Sequence, residues 1–226
     1  MKKHIFILLL INFACSTHSH TNEYKNIKKI EMDVIRNGEI IGYSNYFFEH
    51  NDNKMTVKNY TKFKVDLLGV TIFSIVSEAI EKYEDNKLIY FKSNTFQNDK
   101  KKYVNLKYDK YSQQFIIDGS SYKGKTGRDC LIGSWWNYNI LKTKKQISPL
   151  SGSVKEQIVS LIGKEEIIIN NNKYFTEHYK LKSKNKDLPK DKKLDFDIWY
   201  DPKNNLILKV SYSRMGGWEY KIKNFE

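Results

Sequence analysis

The chain has 226 residues, enough for one sizeable core, and its 40% hydrophobic content excludes wholesale disorder. Only 3 Pro and 11 Gly exclude collagen-like or linker-rich designs, while 16 Tyr and an aromatic content of 14% favour strands, where flat rings pack on a pleated surface. The net charge of +13 invites a polyanion partner, but the lysines are scattered, and no recognition helix, zinc knuckle or RNA-binding aromatic signature accompanies them, so no nucleic-acid role is expected.

The N-terminus reads as a signal peptide over residues 1–19. Lys2 and Lys3 precede a short apolar run, Ile5 to Phe13, and Ala14, Ser16 and Ser19 then supply small residues for cleavage. The run is shorter than the roughly 20 apolar residues that span a bilayer as a helix. The expectation is an exported protein, periplasmic or secreted, whose remaining residues 20–226 form a single β-rich domain. Cys15 carries the alternative, a lipid-modified N-terminal cysteine and a membrane-anchored lipoprotein. Against it, Asn12 stands three residues earlier, where such sites carry Leu, Val or Ile, and ordinary cleavage near Ser16 or Ser19 is preferred. Either way Cys130 has no disulfide partner in the mature chain, and stability must come from the core.

From Lys28 onward the pattern is alternation. Ile30, Met32 and Val34 share one face of a strand ending at Asn37-Gly38, a strong hairpin signal because both residues accept positive φ. Glu39 to His50 returns, Asn51 to Lys54 turns, and Met55 to Asp66 alternates again, which makes a meander. Leu67 to Tyr83 fits a helical face through Leu68, Ile72, Ile75, Val76 and Ala79, but its β-branched residues favour strand, and strand is the reading adopted. Leu88 to Thr95, Tyr103 to Tyr108 and Gln114 to Ile117 are further strands. Ser120 to Arg128 reads as a loop. Residues 153–162 are ambiguous: Ser153 with Glu156 forms a capping box and favours a short helix, whereas alternation through Lys155, Gln157 and Val159 gives a strand. Glu165 to Asn170 and Lys173 to Leu181 form a hairpin, and Ser183 to Lys193 a charged loop. The clearest hairpin follows: Leu194, Phe196 and Ile198 alternate with Asp195, Asp197 and Trp199, then Asp201 to Asn205 turns into Leu206, Leu208 and Val210. Tyr212 to Met215, a Gly216-Gly217 turn and Trp218 to Ile222 close the chain. The expected fold is a single all-β domain of about ten mostly antiparallel strands.

Chemistry-bearing residues are sparse. Gly133-Ser134-Trp135-Trp136-Asn137 is the most unusual cluster. Two adjacent Trp in a strand point to opposite faces, so either both plug the core at a sheet end or one ring lies exposed to stack on a sugar or lipid. Arg128-Asp129 beside Cys130 could lower a thiol pKa, but a nucleophile also needs a nearby His, and a small inert thiol is the plainer reading. Asp195 and Asp197 share a strand face roughly 7 Å apart by the strand rise, a spacing that could serve glycoside hydrolysis but usually marks a solvated face. Glu177 and His178 point to opposite faces and make no metal pair. His18 and His20 are a weak candidate for copper or zinc near the cleavage point. No phosphate-cradling loop and no zinc cysteine pattern occurs, so no cofactor, metal site or catalytic residue is assigned.

Ser134-Trp135-Trp136-Asn137, Leu150-Ser151-Gly152, Ile162-Gly163-Lys164-Glu165, Tyr179-Lys180-Leu181 and Ile198-Trp199-Tyr200-Asp201 occur in an order and spacing that resembles a bacterial exported family of unknown function, DUF6134. Asn37-Gly38 with Ile41-Gly42, and the run Tyr83 to Leu88, are also similar to its pattern. The resemblance implies a strand across 154–161 and a long curved sheet, an open half-barrel or barrel like those that bacterial lipoprotein carriers use to hold acyl chains. It brings no reaction or catalytic residue. The expected function is therefore non-enzymatic binding of a lipid or amphipathic small molecule on a concave face, with Trp135, Trp136, Asn137, Trp199 and Tyr200 as candidate contacts. The alternatives are an envelope protein using its basic surface on anionic partners, and a hydrolase using Cys130 or the paired carboxylates.

Overall fold

The structure is a computed structural model that describes residues 24–213 and 216–226. The signal-peptide reading of residues 1–19, with the readings placed on Cys15, His18 and His20, lies outside the described residues, as does Met215.

The first half of the chain is an eight-strand meander: β1 (Lys29–Arg36), β2 (Glu39–Asn51), β3 (Lys54–Leu67), β4 (Val70–Glu84), β5 (Lys87–Gln97), β6 (Lys100–Asp109), β7 (Gln114–Gly119) and β8 (Lys123–Gly127). The second half holds β9 (Cys130–Ile132), β10 (Lys145–Ile147), β11 (Val154–Ile169), β12 (Asn172–Ser183), β13 (Asp195–Asp201), β14 (Leu206–Ser213) and β15 (Gly217–Phe225). All fifteen join one sheet in the order β8-β7-β6-β5-β4-β3-β2-β1-β15-β14-β13-β12-β11-β10-β9. β1 and β15 pair in the middle, and the two edges, β8 and β9, are consecutive in sequence with only Arg128 and Asp129 between them. A link that short spans roughly 10 Å at full extension. The two edges therefore meet in space, and the sheet curls into a nearly closed barrel. Thr126 Oγ1 and Cys130 Sγ lie 3.1 Å apart across the seam.

Turn chemistry sets the register. Asn37 and Gly38, Asp85 and Asn86, and Asn170 and Asn171 all have positive φ, the backbone that suits a tight hairpin to twisted strands. Inward residues alternate along each strand: Ile30, Met32 and Val34 on β1, Met55 and Val57 on β3, and Leu206, Leu208 and Val210 on β14 are all buried.

Four readings of the sequence are corrected or decided here. There are fifteen strands rather than about ten. Residues 120–128 are not all loop: Lys123–Gly127 pairs with β7 as an edge strand despite lacking apolar residues. Residues 153–162 are not a helix. β11 is flanked by β10 and β12, and pairing on both sides outweighs the local capping box. Leu67 to Tyr83 is strand apart from the turn at Leu68 and Gly69.

Candidate ligand-binding cavity

Every strand pair is antiparallel except β9 with β10. Parallel neighbours need a crossover connection, and here it runs through the barrel. Residues 133–144 leave β9, cross the interior and return as β10. Trp135 and Trp136 are thus not in a strand, and both rings lie inside. Trp136 packs edge-on against Tyr24, Phe48 and Tyr83, with centroids 5.1, 5.3 and 5.7 Å away. Tyr138 stacks on Tyr200 of the opposite wall at 5.0 Å. Asn137 accepts a hydrogen bond from the Asn139 amide at 3.1 Å and so caps the short 3-10 turn Tyr138–Leu141.

This plug divides the interior. On one side lies a cavity of about 980 Å³, opening at the end of the barrel where the β3–β4 hairpin and the β12–β13 loop project. On the other lies a smaller one of about 560 Å³ beside Tyr24, Cys130 and the β4–β5 turn. The larger cavity exists because of small side chains at inward positions. Ser44, Thr61, Ser77 and Thr95 are successive cross-strand partners on β2, β3, β4 and β5, so four hydroxyl residues form one row around the barrel, of which Ser44, Thr61 and Ser77 line the cavity. They satisfy one another in pairs: Ser44 Oγ and Thr61 Oγ1 lie 2.7 Å apart, as do Ser77 Oγ and Thr95 Oγ1. Asn59 donates to Ser44 Oγ at 3.2 Å. The facing wall is aromatic. Trp135 meets Phe196 at 5.1 Å and Tyr220 at 6.3 Å, and Tyr212 lies beyond Phe196 at 5.4 Å. A hollow with one hydroxyl wall and one aromatic wall suits a molecule that is part polar and part apolar.

At its floor sits Glu81, only 3% exposed. Its carboxylate accepts from Tyr83 Oη at 2.6 Å, Ser134 Oγ at 2.8 Å and Trp136 Nε1 at 3.0 Å. Burial pushes this carboxyl above the usual range, and the three donors only partly offset that. Burial likewise pushes the Tyr46 hydroxyl, which accepts from the Trp135 amide at 3.4 Å, up to about 12. At the mouth, five lysines, Lys155, Lys182, Lys186, Lys190 and Lys193, face two aspartates, Asp191 and Asp195. Asp195 is already ion-paired to Lys180 at 2.7 Å. The rim is therefore cationic.

Of the five candidate ligand contacts, Trp135 alone lines the larger cavity, while Trp136 and Asn137 line the smaller one. Trp199 and Tyr200 are split by the strand alternation. Tyr200 is buried and donates to Asn205 Oδ1 at 2.7 Å. Trp199 is on the outer surface, stacked on His178 at 4.5 Å with Lys209 over its other side at 4.6 Å, and its Nε1 donates to Glu165 at 2.7 Å. His178 bridges Glu165 and Asp197, each at 3.0 Å, and Lys180 reaches Asp197 at 2.8 Å. Burial raises the Asp197 carboxyl, but the Lys180 and His178 hydrogen bonds outweigh it and hold the group below the ordinary range. Asp195 and Asp197 are thus engaged by cations rather than facing each other across a cleft. Cys130 is fully buried, and burial pushes its thiol up, the opposite of an activated nucleophile. Among the described residues no group of three His, Cys, Asp or Glu side chains could hold a metal ion.

The hydroxyl row, Glu81 and the lysine rim went unnoticed in the sequence. Their signal was present: Ser, Thr and Ala recur at inward positions of β2 to β5, where a filled barrel carries Val, Ile or Leu.

The chain belongs to the DUF6134 family, a domain of unknown function, which matches residues 32–223. No curated protein matches it. Its fold is similar to the crystal structure of a β-barrel-like protein of another domain of unknown function, DUF1849, from Brucella abortus, with a TM-score of 0.61 at 9% identity, over 88% of this chain and 97% of that one.

Proposed function

We propose that this member of the DUF6134 family is an exported, non-enzymatic protein that holds a lipid or other amphipathic molecule in the larger cavity. The observation that carries the reading is the hollow itself: about 980 Å³, walled by paired hydroxyls on one side and by Trp135, Phe196 and Tyr220 on the other. Ligand sites for small molecules fall at roughly 300–1,000 Å³, so the volume suits an acyl chain with part of its head group. The one carboxylate at its floor, Glu81, is engaged by Tyr83, Ser134 and Trp136.

The test is organic extraction of protein purified from its native export compartment, with mass spectrometry of the extract. Wild type should release a bound lipid. Ala79→Phe, which projects a ring from the β4 wall into the hollow, should release none while keeping its circular dichroism spectrum. A wild-type protein that emerges empty and takes up no added fatty acid or phospholipid sinks the reading.

A further inference from the structure

The β3–β4 hairpin is longer than the sheet on either side of it. β2 stops pairing with β3 at Gly42 opposite Phe63, and β5 stops pairing with β4 at Gln97 opposite Ile75. Residues 64–74 therefore continue as a two-stranded finger beyond both neighbours. Four residues of strand on the β3 arm and five on the β4 arm carry it roughly 13–16 Å past them. Asn98 ties its base to the β5–β6 turn, where its side chain accepts from the Ser74 amide at 2.8 Å. The tip is apolar and bare: Leu67 is 59% exposed, Leu68 96% and Val70 64%.

Leu68 is the informative residue. Ten non-glycine residues among those described have positive φ, and nine of them are Asn, Asp or Gln, eight of the nine being the Asn and Asp that favour a left-handed turn. The tenth is Leu68, at φ 49°. A branched side chain here is disfavoured by its backbone, and leaving it in water gains nothing from burial. Asn would serve the turn better on both counts. Folding stability therefore does not account for Leu68, and a surface that buries it does.

The charge around the tip says which surface. Lys100 and Lys101 are exposed on the adjacent β5–β6 hairpin, and Lys186, Lys190 and Lys193 are exposed across the same mouth, since Phe63 and Ile75 at the finger's base line the cavity that these three also line. An apolar tip a few residues wide, set among lysines, matches the interfacial layer of a bilayer bearing anionic head groups: the tip enters about 5–10 Å, and the lysines meet the phosphates. We propose that this end of the barrel docks on an anionic lipid surface, with Leu67, Leu68 and Val70 inserted and Lys100 and Lys101 on the head groups. The proposal stands whether or not the cavity is loaded.

Co-sedimentation of the purified protein with vesicles tests it, using phosphatidylcholine alone and an equal mixture with phosphatidylglycerol. Wild type should bind the mixed vesicles, and raised salt should weaken binding without abolishing it. Leu68→Asn should weaken binding by about tenfold or more, while its denaturation midpoint stays level or rises because Asn fits the left-handed turn. Lys100→Gln with Lys101→Gln should lower binding to the mixed vesicles and leave any binding to phosphatidylcholine unchanged. Wild type that binds neither vesicle, or Leu68→Asn that binds as wild type does, overturns the proposal. So does a concentration-dependent dimer that Leu68→Asn abolishes, since the finger would then cover a second copy of the chain.

Discussion

Replacing Glu81 by Gln tests the electrostatics of the cavity floor. The carboxylate is buried, and none of the ion pairs among the described residues involves it. Its three hydrogen bonds are charge-assisted, each contributing about 1.5–3 kcal/mol, against a desolvation cost of several kcal/mol for a buried ion. The raised folded-state pKa means that desolvation wins. A carboxyl raised on folding contributes stability that is fully present below its unfolded value, 4.5, and is lost as pH rises through the folded value. Each pH unit of that displacement is worth about 1.4 kcal/mol. Gln keeps an oxygen for Ser134 and Trp136 and gives up the acceptor that faces Tyr83, a loss of about 1 kcal/mol, but it carries no charge to desolvate. In acid the wild type should therefore be the more stable of the two, and the Gln variant should gain on it as pH rises from 4.5 through the folded value. Urea denaturation of both proteins across that interval reads the difference directly, and other titrating groups cancel. A difference that is flat, or that moves in the wild type's favour with rising pH, refutes the reasoning: the three donors would then outweigh burial, and the floor would be an ordinary stabilised carboxylate.

Trp136→Ala removes the ring that fills the centre of the plug and takes one donor from Glu81. Truncations of this kind cost about 3–5 kcal/mol, so a lowered urea midpoint with a larger, joined interior is expected, and an unchanged midpoint would show that the plug is not part of the core. On the outer surface, Lys180→Met removes the cation shared by Asp195 and Asp197. Asp197 is depressed in the folded protein, so its contribution is present above the unfolded value of 3.8 and lost as pH falls through the folded one. The variant's deficit against wild type should therefore be largest near neutral pH and shrink as pH falls below 3.8 through the folded value. These groups are partly exposed, so the loss near neutral pH should stay under about 1 kcal/mol, and a larger one would mean that Lys180 also supports the packing of β12 on β13.

The strands were legible because each carries its own signal. Asn37-Gly38 and Asp85-Asn86 announce turns without reference to the rest of the chain, and the alternation beside them gives the inward face. β8 was not legible: Lys-Gly-Lys-Thr-Gly has no apolar face, and only the waiting edge of β7 makes it a strand. The two tryptophans misled because adjacency was interpreted as if they lay in a strand. Their position follows instead from a parallel pairing that no local pattern announces, and that pairing obliges the chain to cross the lumen.

The hydroxyl row lay between these cases. Hairpin turns fix which residues stand opposite each other, so Ser44 could have been set against Thr61 by counting outward from the turn at Asp52 and Asn53. What the count lacks is the reason that four such residues matter together. Buried hydroxyls left unpaired would cost about 1–3 kcal/mol each, and an apolar void of this size would collapse or destabilise the barrel. Ser44 with Thr61, and Ser77 with Thr95, avoid both by bonding each other. The wall is satisfied with the cavity empty and still offers oxygen atoms to water or to a ligand. A hollow built this way costs little to vacate, and a protein that must release what it binds needs an empty state that remains folded.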